Sequence, residues 1–319
     1  MLFNHIANKP ISFYTRYIQP GWIFVKPNRE RGHGQLKLSY FPGCSLESTA
    51  KEYDLSTRSV CHALGIELVE LKDWVCCGAT SAHSTNHTLS LALPARNIAL
   101  AQEQGADLAI PCSACFNVLK KTDYTMRNDE TMRLKTEKIT DFKYNGLVNV
   151  LSLLEAFTTS IGVNSIAKSV KKPLQGLNVV CYYGCLLVRP PEVTQFDSRE
   201  NPESLDNIIN SLGAQTIPWS YKTDCCGASL SLTSANIVHK MVGRLLDAAR
   251  EAGAEAIVTA CPLCQSNLEM RRAKGDISMP AFYFTELIGL AMDLPDTEQW
   301  FKLHLVDPRP LLKSLSLVR

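Results

Sequence analysis

Short β-branched and apolar runs alternate with stretches of helical periodicity, and the whole alternation occurs twice. Leu36–Phe41, Ile66–Leu71 and Leu108–Pro111 read as strands, with Leu177–Tyr183, Thr216–Trp219 and Ala256–Thr259 as their counterparts. Between them lie helical stretches such as Thr88–Gln104 and Ala235–Ala252; Pro94 interrupts the first and is expected to start a new helix. Val148–Phe157 and Ala281–Met292 are apolar runs that turn into helical patterns. This order predicts an α/β fold made of two tandem, duplicated domains, each a small, largely parallel sheet flanked by helices. The expected divisions are an N-terminal extension over 1–35, a first domain over 36–167, a linker over 168–176, a second domain over 177–294 and a C-terminal tail over 295–319. Thr122–Asn145, polar and charged, is expected to be a solvated excursion of the first domain.

The cysteines make the duplication explicit. Phe41-Pro42-Gly43-Cys44 is followed after 31 residues by Cys76-Cys77-Gly78-Ala79, and Cys77 is followed after 34 residues by Cys112-Ser-Ala-Cys115. The second half runs Tyr182-Tyr183-Gly184-Cys185, then 39 residues, then Cys225-Cys226-Gly227-Ala228; from Cys226 a gap of 34 again leads to Cys261-Pro-Leu-Cys264. Flanking residues repeat as well, Leu64-Gly65 against Leu212-Gly213 and Gly105-Ala106-Asp107 against Gly253-Ala254-Glu255. The cysteines fall where strands end and helices begin, which is where open α/β sheets put their sites.

Adjacent thiolates repel, by about 4 kcal/mol at ~4 Å and an effective dielectric near 20. A bound cation removes that cost and deprotonates the thiols. Each half offers five sulfurs, one more than a tetrahedral zinc site or a simple [4Fe–4S] cube uses. That surplus favours an unusual iron–sulfur cluster, or one free or redox-active cysteine, over zinc. Disulfides fit poorly, because adjacent cysteines bridge only with strain and no secretory signal is evident. Redox-active CxxC pairs without metal leave Cys76-Cys77 and Cys225-Cys226 unexplained.

Composition narrows the classes. The 319 residues are 45% hydrophobic and 20% charged with a formal net charge of +2, ordinary for a globular protein and no argument for nucleic acid. No apolar run approaches the roughly 20 residues of a membrane helix. The first 34 residues are basic and aromatic but interrupted by Pro10, Pro20 and Pro27, which suits partner contact or disorder better than a leader. A cytoplasmic location is expected. Gly32-His-Gly34 lacks the third glycine and the preceding strand of a dinucleotide fingerprint, and no closely spaced ferredoxin run is present, so electrons are expected from another protein.

The two CCGA motifs, the two CxxC motifs and Tyr183-Gly184-Cys185-Leu-Leu-Val-Arg-Pro-Pro-Glu192 resemble the cysteine-rich CCG-domain proteins, above all the B-type subunits of heterodisulfide reductase, over about Leu36–Leu294. The resemblance implies that Cys44, Cys76, Cys77, Cys112 and Cys115 bind one noncubane [4Fe–4S] cluster, and Cys185, Cys225, Cys226, Cys261 and Cys264 a second. It implies the catalytic component of a disulfide-reducing, or reversibly disulfide-forming, oxidoreductase, with the disulfide between the clusters and one electron from each. The two electrons that reductive cleavage takes agree with two one-electron centres. The implied partners are an iron–sulfur protein and a flavoprotein, like the C and A components of heterodisulfide reductase. The alternative is an electron-transfer component of a quinone-linked flavin dehydrogenase complex.

Other candidates carry ordinary readings. Cys185 is preferred to Cys181 because Tyr-Gly-Cys185 aligns with Pro-Gly-Cys44. Cys61 lies in a helical pattern and reads as a small buried hydrophobe. His83 reads as a structural histidine, His239 as a helix residue without a role, and Arg189 and Lys222 as loop anchors rather than substrate contacts.

Overall fold

The computed structural model describes residues 35–79, 82–273, 275–276 and 279–318, excepting the side chains of His83 and Ser84. The expectations for the N-terminal extension and for His83 lie outside the described residues. The first half comprises β1 (Lys37–Tyr40), α1 (Gly43–Glu47), α2 (Lys51–Ala63), β2 (Glu67–Glu70), α3 (Ala82–Thr85), α4 (His87–Gln104), β3 (Leu108–Ile110), α5 (Ser113–Asn128), α6 (Glu130–Thr140), β4 (Val150–Ser152) and α7 (Leu153–Glu155). A π-helix over Ala156–Gly162 and α8 (Val163–Lys168) lead out of it. The second half comprises β5 (Asn178–Tyr182), α9 (Pro191–Thr194), α10 (Ser204–Ser211), β6 (Gln215–Thr216), α11 (Ala235–Glu251), β7 (Ala256–Thr259), α12 (Pro262–Met270), β8 (Ala281–Tyr283) and α13 (Phe284–Ala291), followed by α14 (Thr297–Phe301) and α15 (Arg309–Ser314).

Two four-stranded sheets result, ordered β2-β1-β3-β4 and β6-β5-β7-β8, and every pairing is parallel. The α/β fold read from the sequence is therefore the observed one. In each sheet the chain leaves the first strand toward one edge and returns past it to the other. That reversal opens a crevice beyond the carboxyl ends of β1 and β3, and of β5 and β7.

Strand alternation divides the second half's packing. Val179 and Cys181 of β5 face a core shared with the first half, which includes Leu38, Ile110, Phe157, Phe282 and Leu287. Val180 and Tyr182 face the opposite side, a smaller core with Val238, Leu245 and Ile257. Across the junction α2 packs on α13. Tyr53 stacks on Tyr283 with centroids 4.1 Å apart and planes at 5°. Ser56 Oγ lies 2.7 Å from Thr285 Oγ1.

Three expectations need correction. Pro94 starts no new helix: α4 runs through it, capped by the Asn86 side chain at one end and closed by Gly105 at the other. One missing backbone hydrogen bond is tolerated because Pro94, Ala95, Ile98 and Ala101 are all buried. Residues 122–145 are not a solvated excursion but the end of α5, all of α6 and the turn after it, with Thr122, Asp123, Met126, Thr136 and Glu137 buried. The expected strand at Thr216–Trp219 is reduced to Gln215–Thr216, because only Asn178 and Val179 of β5 pair with it. The stretch 168–176 is strapped down: the Lys171 and Lys172 amides donate to Ala291 O at 2.8 and 2.9 Å, and Leu174 is fully buried.

Candidate metal centre

All ten repeated cysteines lie beyond the carboxyl ends of strands. Cys44 opens α1 after β1, and Cys112 caps α5 directly after β3; Cys185 follows β5 and Cys261 caps α12 after β7. The vicinal pairs follow β2 and β6. The CxxC pairs thus sit at helix starts, where exposed backbone amides favour thiolates.

Within the first set, Cys77 and Cys115 Sγ are 3.0 Å apart; within the second, Cys226 and Cys264 Sγ are 3.6 Å apart. The Gly78 amide points at Cys76 Sγ (3.5 Å) and the Gly227 amide at Cys225 Sγ (3.3 Å). Both glycines have positive φ, +77° and +81°, which turns the amide inward at little steric cost. Cys44, Cys76 and Cys225 are exposed, Cys185 is half-buried and the other six are buried. Interaction with Cys115 brings the Cys77 thiol down to about 7, and interaction with Cys185 brings Cys225 down to about 6. Each set therefore has a sulfur ready to be a thiolate.

The two sets meet. Cys112 and Cys261 are close enough across the junction between halves to perturb each other; Cys112, and after it Cys264, holds Cys261 well below the usual thiol range. Asn117, two residues beyond Cys115, donates through Nδ2 to Leu186 O (3.0 Å) and Arg189 O (2.7 Å), so α5 of the first half holds the loop that carries Cys185.

Do these residues fit iron–sulfur clusters? The donors that the two repeats present beyond the strand ends are cysteine sulfurs, which suit iron–sulfur chemistry. Space is reserved as well. A Cβ on Gly43 would lie 3.4 Å from Cys115 Sγ, and one on Gly184 3.0 Å from Cys264 Sγ. An all-cysteine donor set in two glycine-lined crevices fits.

A family model described as a cysteine-rich domain, CCG, matches residues 38–120 and 179–269, one repeat on each sheet. The chain belongs to the CCG cysteine-rich domain family. It is 32% identical over 289 residues to the 8-methylmenaquinol:fumarate reductase membrane anchor subunit of Wolinella succinogenes, covering 87% of this chain and 99% of that one. It is 28% identical over 274 residues to the B subunit of the ferredoxin/F(420)H(2)-dependent CoB-CoM heterodisulfide reductase of Methanosarcina acetivorans, covering 82% and 91%. A hypothetical protein from Helicobacter pylori shares the fold (TM-score 0.67, 12% identity, 85% of this chain); this chain spans about half (52%) of that one. The Wolinella and Methanosarcina relatives are both named as subunits of redox enzymes. Among the described residues of this CCG protein no helix is long and apolar enough to cross a membrane.

The remaining candidates are structural in this CCG fold. Cys181 is fully buried inside β5, and Cys61 inside α2 is pushed up to about 12 by burial. Lys222 is buried, its Nζ donating to Pro202 O (2.8 Å) and pairing with Asp206 (3.0 Å). Arg189 donates to Thr223 Oγ1 and Glu200, and His239 Nδ1 meets Arg271 O. Sequence reasoning passed over Asn117, which has no local signal. It also passed over a buried group of Glu52, Glu269, Glu286 and His304, detectable by laying the repeats on each other. Glu269 stands where the first half has Lys120, and Glu286 where it has Glu155.

Proposed function

We propose that this protein is the iron–sulfur catalytic subunit of a heterodisulfide-reductase-like complex. Cys44, Cys76, Cys77, Cys112 and Cys115 would hold one noncubane [4Fe–4S] cluster, and Cys185, Cys225, Cys226, Cys261 and Cys264 a second. The observation that supports the reading is the proximity of Cys112 and Cys261 across the junction, which would put one disulfide within reach of both proposed donor sets. When bound, the clusters supply one electron each, the two electrons that cleavage of an S–S bond needs. The chain itself orients the donors through helix starts and inward-turned glycine amides, and Asn117 keeps Cys185 in register with the first set. The reading includes a cytoplasmic complex in which a separate iron–sulfur protein, fed by a flavoprotein, is the electron source.

A second reading, electron transfer in a quinone-linked dehydrogenase complex, is favoured by the relative named as part of a methylmenaquinol:fumarate reductase. One experiment separates them. Anaerobically prepared protein is assayed for iron and sulfide, with about eight of each expected, and examined by electron paramagnetic resonance with candidate thiols. A thiol-dependent signal supports the disulfide reading, and clusters that ignore every thiol but are reduced by a menaquinol analogue support the second. Four or fewer irons in folded protein overturn the two-cluster version of both.

A further inference from the structure

Behind the cysteine junction lies a buried acidic group that neither reading uses. His304, from the segment after α14, places Nδ1 2.9 Å from Glu269 Oε1 and Nε2 2.8 Å from Glu286 Oε1. Glu52 of α2, only 5% exposed, comes from the first half and lies in the field of Glu286, His304 and Glu269. At the repeat-related place in the first half a lysine, Lys120, favours the ionised form of the buried Glu155. The second half instead gathers three carboxylates around one imidazole. With all three ionised and His304 protonated, two negative charges stay uncompensated inside the protein, a state that burial opposes.

The group is joined to the cysteines by two aromatic rings. The Tyr283 amide donates to Glu286 Oε2 at 2.8 Å, and the Tyr283 ring stacks on Tyr53. The Tyr53 hydroxyl donates to the carbonyl of Ala260, the residue before Cys261, at 3.2 Å. Tyr283 Oη is buried without a hydrogen-bond partner and lies within the field of Glu52, Glu286 and Glu269, whereas Tyr53 lies in the field of Cys261 and Cys112.

We propose that the Glu52–Glu269–Glu286–His304 group is a proton-accepting site tied to the redox state of the cysteine-held centres, taking up one proton on Glu52 when a centre gains an electron. The inference rests on the reading that the cysteines hold redox centres. An electron arriving near Cys112 and Cys261 adds negative charge across a low-dielectric stack of two tyrosines and raises the cost of an ionised neighbour. Glu52 is the member placed to respond. Burial raises it to about 7, Glu286 and Glu269 push the same way, and His304 opposes them. Those three and Tyr283 are the titratable groups that face it, from α13, α12, the segment after α14 and β8. The balance is one electron from a low-potential donor and one proton from solvent, leaving a reduced centre and a neutral Glu52. Reduction of a disulfide to two thiols, or of a quinone to a quinol, consumes protons with electrons, so a local proton store suits either reaction.

The test is a potentiometric titration of the reconstituted full chain with dithionite from pH 6 to pH 9, followed by paramagnetic resonance. One centre should shift by up to about 59 mV per pH unit, the one-electron equivalent of a tenfold change in proton concentration, and Glu52→Gln should flatten that slope. Infrared spectra of the iron-free chain carrying Glu155→Gln, which removes the other buried carboxyl raised to about 7, should contain a protonated-carboxyl band that disappears near neutral pH and is missing when Glu52→Gln is added. A slope unchanged by Glu52→Gln, or no such band, overturns the coupling and leaves the cluster reading intact. A sample with no paramagnetic centre overturns the cluster reading first and the coupling with it. Should Glu52→Gln fail to fold, His304→Gln decides instead: losing the group's imidazolium should move both the infrared titration and the pH range of the sloping potential upward, and a potential whose pH range does not move overturns the coupling.

Discussion

The side-chain amide of Asn117 donates to the carbonyl of Leu186, the residue after Cys185, and so fastens the second cysteine set to the helix that carries the first. The same amide reaches Arg189 O, so one residue satisfies two carbonyls of a loop that lacks regular structure around Cys185. Asn117→Ala is expected to lower stability by about 0.5–1.5 kcal/mol, the net contribution of such partly exposed hydrogen bonds. Denaturant unfolding measures this, and hydrogen exchange should rise selectively at 186–190.

Gly184→Ala should separate the cradle from backbone strain. Its φ is +70°, and the new Cβ would lie 3.0 Å from Cys264 Sγ. Gly253 has φ +85° with nothing within 4 Å of a built Cβ, so Gly253→Ala suffers only the strain, about 1–2 kcal/mol. After anaerobic reconstitution, Gly184→Ala is expected to bind roughly half the iron of the parent, and Gly253→Ala the full amount.

Lys222 and Asp206 form a buried ion pair whose carboxylate also accepts from Tyr183 Oη at 2.6 Å. Lys222→Met leaves that carboxylate buried without its cation and should cost about 3–5 kcal/mol. Lys222→Met combined with Asp206→Asn should recover much of the loss. Urea unfolding of the parent, the single and the double variant checks both statements.

Glu155 predicts a pH dependence. Burial raises its carboxyl from 4.5 to about 7, against the favourable field of Lys120. Because the folded value lies above the unfolded one, the folded state binds the proton more tightly. The associated stability is fully present below about pH 4.5 and is lost as the pH rises through about 7. Glu155→Gln, neutral throughout, should therefore gain stability relative to the parent between pH 5 and pH 8, on the order of 2–3 kcal/mol. Thermal or urea unfolding at the two pH values reads the crossover.

Much of this fold is legible from sequence because its signals are local. Strand runs at β1, β3, β5 and β7 are apolar enough to identify from three or four residues, and the glycines before Cys44 and Cys185 mark the turns that follow them. Edge strand β6 is shorter than its sequence suggests, since an edge needs little hydrophobicity and its length depends on what the neighbour offers. Residues 122–145 mislead because α6 is amphipathic over a polar surface; burial of Thr136 and Glu137 depends on where α5 lies, which no local pattern carries.

The sequence alone determined the duplication, the parallel α/β class and the ten cysteines, because each is written in spacing and period. Tertiary structure decided which groups share space. It brought Cys112 to Cys261, set Asn117 against the Cys185 loop, and placed Glu52 beside residues more than 200 positions away. Contacts of that kind follow from packing one half against the other, α2 on α13. They arise at a junction between repeats, where the symmetry visible in the sequence is broken.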